Sequence, residues 1–278
     1  MSLSPWKEKI KKHLSQKQIE FIRKTRLQAK AFWFRKDLPQ LATLYWTDKW
    51  NVHSYASVYQ KYFEPFRKKP VRIVEIGVGG FANPNEGGHS LRMWKSYFRR
   101  GLIGGIDCYD KRAIEEPRIR TFQGSQTDPV FLEKVVKEMG GIDILVDDGS
   151  HFNEHTLESF KILFPLLLPN GIYVVEDTEA SYWPGFGGDS LNLNNPRTVM
   201  CYFKNLADGL NYAERILPDY QPSYFDRHIV SIHFYHNLIF VFKGLNNEGN
   251  PFVKGNNTHI DWILKDYKEG PLYKWTDH

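Results

Sequence analysis

Five consecutive residues, Asp147-Asp148-Gly149-Ser150-His151, bring together the groups of which acid–base and metal chemistry are made. They close an apolar run at 142–146, and a second acidic pair, Glu176-Asp177, closes another at 171–175. Apolar runs of this length read as buried parallel strands. In open α/β sheets the ligand crevice lies outside the carboxyl ends of the strands. Two neighbouring strand ends would therefore deliver four carboxylates and one histidine to a single crevice. Such crowding is unfavourable unless a cation or a proton offsets the repulsion. Each carboxylate alone is equally well explained as a helix cap or an ion-pair partner. Their joint occurrence points to a metal-assisted active site, with Asp148, Glu176 and Asp177 as candidate ligands. Hard oxygen donors suit magnesium, or manganese in its place, rather than zinc. His151 stands three residues after Asp148, near the ion but not on it, where a general base belongs. His155 follows four residues later, and Phe152-Asn153-Glu154 between them is not a zinc-protease pattern, so His155 is left to support His151 or to pack.

A glycine turn, Glu75-Ile76-Gly77-Val78-Gly79-Gly80, follows an earlier apolar run. Glycines there permit a tight turn and close approach of backbone to a ligand, although a plain strand-to-helix turn has the same look. The string meets a loose dinucleotide fingerprint, but the next helix does not begin at it. A loop from Asn83 to His89 intervenes, and Ser90 has the type of a helix N-cap. A pyrophosphate wants the helix N-terminus directly at the turn, so a cofactor without phosphates, S-adenosylmethionine, fits better than NAD. Asp107 ends a second run and is able to accept both ribose hydroxyls of an adenosine; a cap or a salt bridge with Lys111 is the other reading. Gly124 and Gln126, after a third run, would line the adenine pocket. Asp147 would bind the methionine end of the cofactor or support the metal. Structural roles serve these three residues nearly as well. Tyr182, Trp183 and Phe186 follow Asp177 closely, and their aromatic faces suit a sugar or a flat ring, or a loop packed down on the sheet.

These residues need a scaffold to converge. Strand patterns at 71–76, 102–107, 119–122, 142–146 and 171–175 alternate with helical patterns at 90–98, 129–138 and 154–168. That alternation means a parallel sheet with helices on both faces. Two further runs, 229–235 and 238–242, are separated only by His236-Asn237, too little for a crossover, so they pair antiparallel. The expected fold is α/β and Rossmann-like: the class I methyltransferase sheet, seven strands, mostly parallel, with an antiparallel terminal hairpin. The segment 179–196 reads as a functional loop over the crevice. Residues 1–65 are expected to form an N-terminal helical cap, 66–245 the catalytic domain and 246–278 a C-terminal extension. Residues 1–36 hold a basic excess, punctuated by apolar residues at helical intervals. A helix packing one face on its own domain is favoured over one that touches a membrane or nucleic acid. The 278 residues are 41% hydrophobic and 25% charged, with a net charge of +5, ordinary for a soluble protein. Cys108 and Cys201 make neither a disulfide framework nor a zinc cluster, and a reduced, cytoplasmic protein is expected. No leader and no spanning segment stand out. No Asn-Pro-Pro-aromatic signature of base methylation follows the fourth strand, so nucleic acid is not an expected partner.

The stretches Val74-Glu75-Ile76-Gly77-Val78-Gly79-Gly80, Gly88-His89-Ser90-Leu91-Arg92-Met93-Trp94, Gly105-Ile106-Asp107, Asp147-Asp148-Gly149-Ser150-His151 and Val175-Glu176-Asp177 together resemble one family. It is that of the metal-dependent sugar O-methyltransferases that tailor macrolide and polyketide glycosides, of the mycinamicin deoxysugar type. The resemblance runs from about His53 to Gly188, with the final strand also matching, and is most specific in the two acidic motifs. It implies S-adenosylmethionine and magnesium (or manganese) as cofactors, a sugar acceptor on a glycoside, glycan or nucleotide-sugar, and a homo-oligomer. By motif position Asp148, Glu176 and Asp177 would hold the metal, and His151 would be the base. Glu75, Gly77, Gly79, Ser90, Asp107, Gly124, Gln126 and Asp147 would form the cofactor pocket, with His53, Tyr55 and Tyr59 closing over it. The short basic N-terminal region departs from the longer one of the macrolide enzymes, which leaves the acceptor open. Two other functions compete: an O-methyltransferase of catechol-like phenols, which needs the same metal and a diol, and a non-catalytic binding protein of this fold. Retention of so repulsive an acidic cluster argues against the second.

Overall fold

The computed structural model describes residues 15–215 and 220–250. Lys7, Lys9, Lys11 and Lys12 of the basic N-terminus lie outside the described residues, as does the expected C-terminal extension from 251 onward. Three helices come first: α1 (Gln16–Phe34), α2 (Leu38–Tyr45) and α3 (Tyr55–Phe63). The alternating part follows as β1 (Arg72–Ile76), α4 (His89–Tyr97), β2 (Leu102–Asp107), β3 (Ile119–Gln123), α5 (Pro129–Met139), β4 (Ile144–Asp147), α6 (Asn153–Leu166) and β5 (Ile172–Glu176). Then come α7 (Val199–Asp208), α8 (Tyr224–His228), β6 (Ile229–Tyr235) and β7 (Leu238–Lys243). Local chemistry explains the boundaries. Asp128 caps α5 by accepting from the amides of Val130 and Phe131, Pro129 opens the helix, and Gly140 in left-handed backbone closes it.

The strands form one sheet in the order β3-β2-β1-β4-β5-β7-β6. β1 to β5 run parallel, and β7 lies antiparallel to both β5 and β6, as the alternation and the short hairpin predict. The direction of strand addition reverses between β1 and β4, which opens a crevice at their carboxyl ends.

Both faces of the sheet are covered, and side-chain alternation decides which residue goes where. Ile73, Ile144, Val146, Ile172, Val174 and Phe240 face one core together with Leu41, Tyr59 and Phe63 of the N-terminal helices and Trp94 of α4. Val74, Leu145, Tyr173, Val175 and Val241 face the other, built on α5, α6 and α7. The N-terminal helices α2 and α3 thus belong to the core of the sheet itself. By contrast, Ala31 is the buried residue of α1, while Phe21 and Trp33 are 71% and 80% exposed. The expectation that this helix packs one face on its domain is met in part: Ile19, Ile22 and Leu27 are half-buried and Ala31 is buried. Among the described residues no helix is long and apolar enough to cross a membrane. Cys108 and Cys201 are free thiols.

Alternation also separates the two acids that end β4. Asp147 shares the face of Leu145 and turns into the second core, where Ser159 and Tyr173 donate to its Oδ2, the latter at 2.8 Å. Burial pushes its carboxyl up to about 6, against those hydrogen bonds, which favour the charged form. A carboxyl raised in the folded state adds most stability where it is protonated in both states, below its unfolded value. That contribution is lost as pH rises through about 6. Asp147→Asn is therefore expected to remove about 2–3 kcal/mol of the stability difference between pH 4 and pH 7, as read from denaturant midpoints. A second expectation concerns the turn after β1. Gly77 has φ of 91°, and a Cβ there would overlap the carbonyl oxygen of Asp148. Gly77→Ala should lower stability by about 2 kcal/mol or more, several degrees in Tm. Gly185→Ala, with open space around it, should be neutral within about 0.5 kcal/mol.

Candidate active site

The carboxyl ends of β1 to β4 open on a cavity of about 1140 Å³. Gly77, Gly79, Ser90, Asp107, Gly124 and Gln126 line it, as the sequence leads one to expect, and so do Asp148 and His151. Backbone builds the turn over it. The Gly77 amide donates to the Ile106 carbonyl at 2.8 Å and the Gly88 amide to the Val78 carbonyl at 2.7 Å. Lys111 fastens the same loop from beneath, its ammonium donating to the carbonyls of Phe81, Asn83 and Glu86 at 2.6, 2.9 and 3.2 Å. It does not pair with Asp107. That carboxylate instead accepts the Val78 amide on Oδ2 at 3.1 Å and the Tyr109 amide on Oδ1 at 2.9 Å. Each oxygen keeps capacity for a ligand hydroxyl.

Three expected cofactor residues stand differently. Ser90 is not the helix cap: Gly88 (φ 67°) takes that place, because the loop must pass through left-handed backbone to return to Val78. Ser90 is the second residue of α4 and reaches the cavity from there. Glu75 and Asp147 are buried and are not among the lining residues. Asp147 acts one layer down, where Gln126 Nε2 reaches its Oδ1 at 3.4 Å while Gln126 Oε1 accepts the Ser150 amide at 3.0 Å.

Glu75 belongs to a cluster that sequence reasoning did not assemble. The ammonium of Lys49, fully buried, lies 2.9 Å from Glu75 Oε1, 2.7 Å from Asp148 Oδ2 and 2.8 Å from Glu176 Oε1. Trp94 Nε1 donates to the other oxygen of Glu75 at 2.7 Å. Tyr59 donates its hydroxyl to Glu176 Oε1. Register explains the meeting: β1, β4 and β5 are neighbours, and Glu75, Glu176 and the residue after β4 all follow the parity of the first core face. Burial works against the Lys49 cation, but the three carboxylates outweigh it and hold its pKa well above the ordinary lysine value. Burial in turn raises the carboxyls of Glu75, Asp148 and Glu176, with Lys49 pulling them back. No local motif flags Lys49. It stands in Trp46-Thr47-Asp48-Lys49-Trp50, with no spacing that marks it.

Beside this cluster, ligand atoms of Asp148, His151 and Asp177 all lie within 4.8 Å of one another. His151 Nε2 stands 3.9 Å from Asp148 Oδ1 and 3.7 Å from Asp177 Oδ2, close but beyond hydrogen-bond reach. His151 and Asp177 both adopt left-handed backbone, φ 58° and 52°, sparsely populated for residues with a Cβ. His151 therefore precedes α6 in a turn rather than riding on its first turn. Of the three expected metal ligands, Asp148 and Asp177 come together here, while Glu176 spends one oxygen on Lys49 and Tyr59. His155 bonds Ser150 Oγ at 2.9 Å and does not touch His151. His53, Tyr55 and Tyr59 close on the acids rather than on the cofactor turn. Tyr55 donates to Asp177 Oδ1 at 2.8 Å, and His53 Nε2 lies 3.7 Å from the same oxygen. The loop after Asp177 is tied down by Asn153, whose amide donates to the carbonyls of Ala180 and Phe186, each at 2.9 Å. It lends no lining residue to the cavity.

No family model matches the chain. Over 237 residues, 84% of its length, it is 45% identical to the demethylmacrocin O-methyltransferase of Streptomyces fradiae. Over 236 residues it is 45% identical to the mycinamicin VI 2''-O-methyltransferase of Micromonospora griseorubida. It spans 58% and 57% of those two relatives. Its structure is similar to that of the MycE methyltransferase of the mycinamycin biosynthetic pathway in complex with Mg and SAH. The TM-score is 0.76 at 42% identity, covering 84% of this chain and 60% of that one. A structure of MycE with Mg, SAH and mycinamycin VI matches at a TM-score of 0.72 and 43% identity, over 78% of this chain and 57% of that one. By sequence and by fold, the chain is homologous to part of the O-methyltransferases of macrolide and polyketide pathways.

Proposed function

We propose that this protein transfers a methyl group from S-adenosylmethionine to a sugar hydroxyl, at a site that holds a magnesium or manganese ion. One observation carries the reading: a single cavity runs from Asp107 and the glycine turn to Asp148 and His151. A nucleoside-recognising carboxylate and a cation-binding acid group thus face the same space. The relatives support it, being named as O-methyltransferases, one of them of a rhamnosyl tetracenomycin, and MycE carries Mg and SAH in its crystals.

The residues present fit both groups. The cavity is large enough for a nucleoside cofactor together with an acceptor. Asp107 would take the ribose hydroxyls, and the glycine turn would admit the chain of the amino acid. Asp148 and Asp177 would hold the ion, joined by Glu176 through Oε2, the oxygen that neither Lys49 nor Tyr59 uses. Oxygen donors of this kind suit magnesium, and the neighbouring imidazole is tolerated by manganese. When bound, the ion lowers the pKa of a coordinated hydroxyl, and the cofactor supplies an electrophilic methyl. His151 then takes the hydroxyl proton on Nε2, which neither carboxylate engages at hydrogen-bond distance. Tyr55 and Lys49 fix the acids that orient the acceptor, so that holding the reactants in line does much of the work. The acceptor is proposed as a sugar hydroxyl on a glycoside, glycan or nucleotide-sugar.

Calorimetry with S-adenosylmethionine, with and without magnesium, tests the reading, followed by labelled methyl transfer to sugars and catechols. Micromolar cofactor binding and EDTA-sensitive transfer to a sugar are expected; absence of cofactor binding under both conditions would end the proposal, and transfer to catechols alone would move it to phenols. His151→Ala should lower turnover about a hundredfold and leave cofactor affinity unchanged. Asp107→Ala should do the reverse, weakening S-adenosylmethionine binding about tenfold or more through lost charge-assisted hydrogen bonds.

A further inference from the structure

Lys49 does more than neutralise. Its ammonium touches three carboxylate oxygens at 2.7–2.9 Å, a hard-oxygen cage with no exposed surface on the lysine side chain. Asp148 divides its two oxygens. Oδ2 belongs to Lys49, and Oδ1 faces His151 within the group that gathers Asp148, His151 and Asp177. One carboxylate therefore lies between two cation positions. Glu176 is disposed alike, with Oε1 engaged by Lys49 and Tyr59 and no hydrogen bond on Oε2 among the described residues. Carboxylates that bridge in this way hold the paired ions of two-metal sites. Here one of the two positions is filled by a side chain, which is carried by the segment between α2 and α3 and pinned by the Ala56 amide donating to the Lys49 carbonyl at 2.9 Å.

We propose that the Lys49 ammonium stands in place of the second cation of a carboxylate-bridged pair and keeps the site to one divalent ion. This rests on the reading that the site binds such an ion at all. An ammonium has no open coordination position, so it presents nothing to a second hydroxyl or water. It supplies positive charge to Glu75, Asp148 and Glu176 without adding a reactive centre. Without the ammonium, three buried carboxylates face one another, and a small hard cation would satisfy them where protons otherwise must.

Manganese titration of the full chain, followed by calorimetry and by electron paramagnetic resonance, tests this. The wild type should take up one equivalent with the spectrum of an isolated ion. Lys49→Ala should take up two, with spin coupling through the bridging carboxylates, and should gain far more in Tm from manganese than the wild type does. Lys49→Arg, which keeps the charge, should return to one. The double variant Lys49→Ala/Glu75→Gln, short of one cage oxygen charge, should bind the second equivalent at least tenfold more weakly. If Lys49→Ala is unfolded without metal, manganese should restore its folded circular dichroism signature. A variant that stays at one equivalent, or stays unfolded with manganese present, would overturn the proposal. A wild type that binds no manganese would instead remove the metal reading beneath it.

Discussion

Four carboxylates placed at adjacent strand ends repel one another, and the rest of the structure is arranged around that repulsion. Glu75, Asp148 and Glu176 meet a single buried ammonium, while Asp177 is shared by Tyr55, His53 and His151. Removing the ammonium from such a set would leave three buried carboxylates without a partner, which costs several kcal/mol. The positive charge comes from outside the sheet, from a segment more than a hundred residues away in sequence from Glu176. That is why the N-terminal helices share the first core instead of resting on it. Leu41, Tyr59 and Phe63 pack on the face toward which the three acids point, and the packing delivers Lys49 to them.

A second constraint ties the cofactor side to the acid side. The turn at Gly77 passes so close to the Asp148 carbonyl that no side chain fits between them, and the Asp148 amide donates to the Ile76 carbonyl at 3.1 Å. The backbone that would admit the cofactor and the backbone that carries the proposed metal ligand Asp148 are therefore one packed unit. The alignment that the proposed methyl transfer would demand is helped by that contact, which depends on backbone rather than on flexible side chains. The left-handed residues His151 and Asp177 add to it, since a strained backbone persists only where its surroundings over-determine it.

Much of this was legible in the sequence, for reasons that differ from residue to residue. Strand and helix patterns have short periods, so the seven strands and the crevice at their ends could be read directly. The acidic motifs were legible because two acidic pairs at the ends of two strand patterns repel one another and call for a shared cation or proton. The opposite fates of Asp147 and Asp148 were readable too, since strand parity alone sends them to opposite faces, although Asp147 was expected in the cofactor pocket and lies one layer beneath it. Ser90 misled because a serine in the right place resembles a cap, whereas the turn required the left-handed backbone that Gly88 supplies. Lys49 was not legible. A lone lysine among aromatics has no periodicity or spacing to mark it, and its partners are set only by the tertiary fold.

Charge accounting links the cluster to the proposed chemistry. Four carboxylates against one ammonium leave the crevice strongly negative, and burial answers by raising the carboxyls of Glu75, Asp148 and Glu176 toward the neutral form. A divalent ion would remove most of the remaining excess and let those groups ionise without penalty. The residue would still be negative. Such an excess favours a cationic sulfonium over a neutral thioether, by electrostatic attraction that water in the open cavity would moderate. On the proposed reading, the same acids that would hold the ion would also favour the methyl donor over its product.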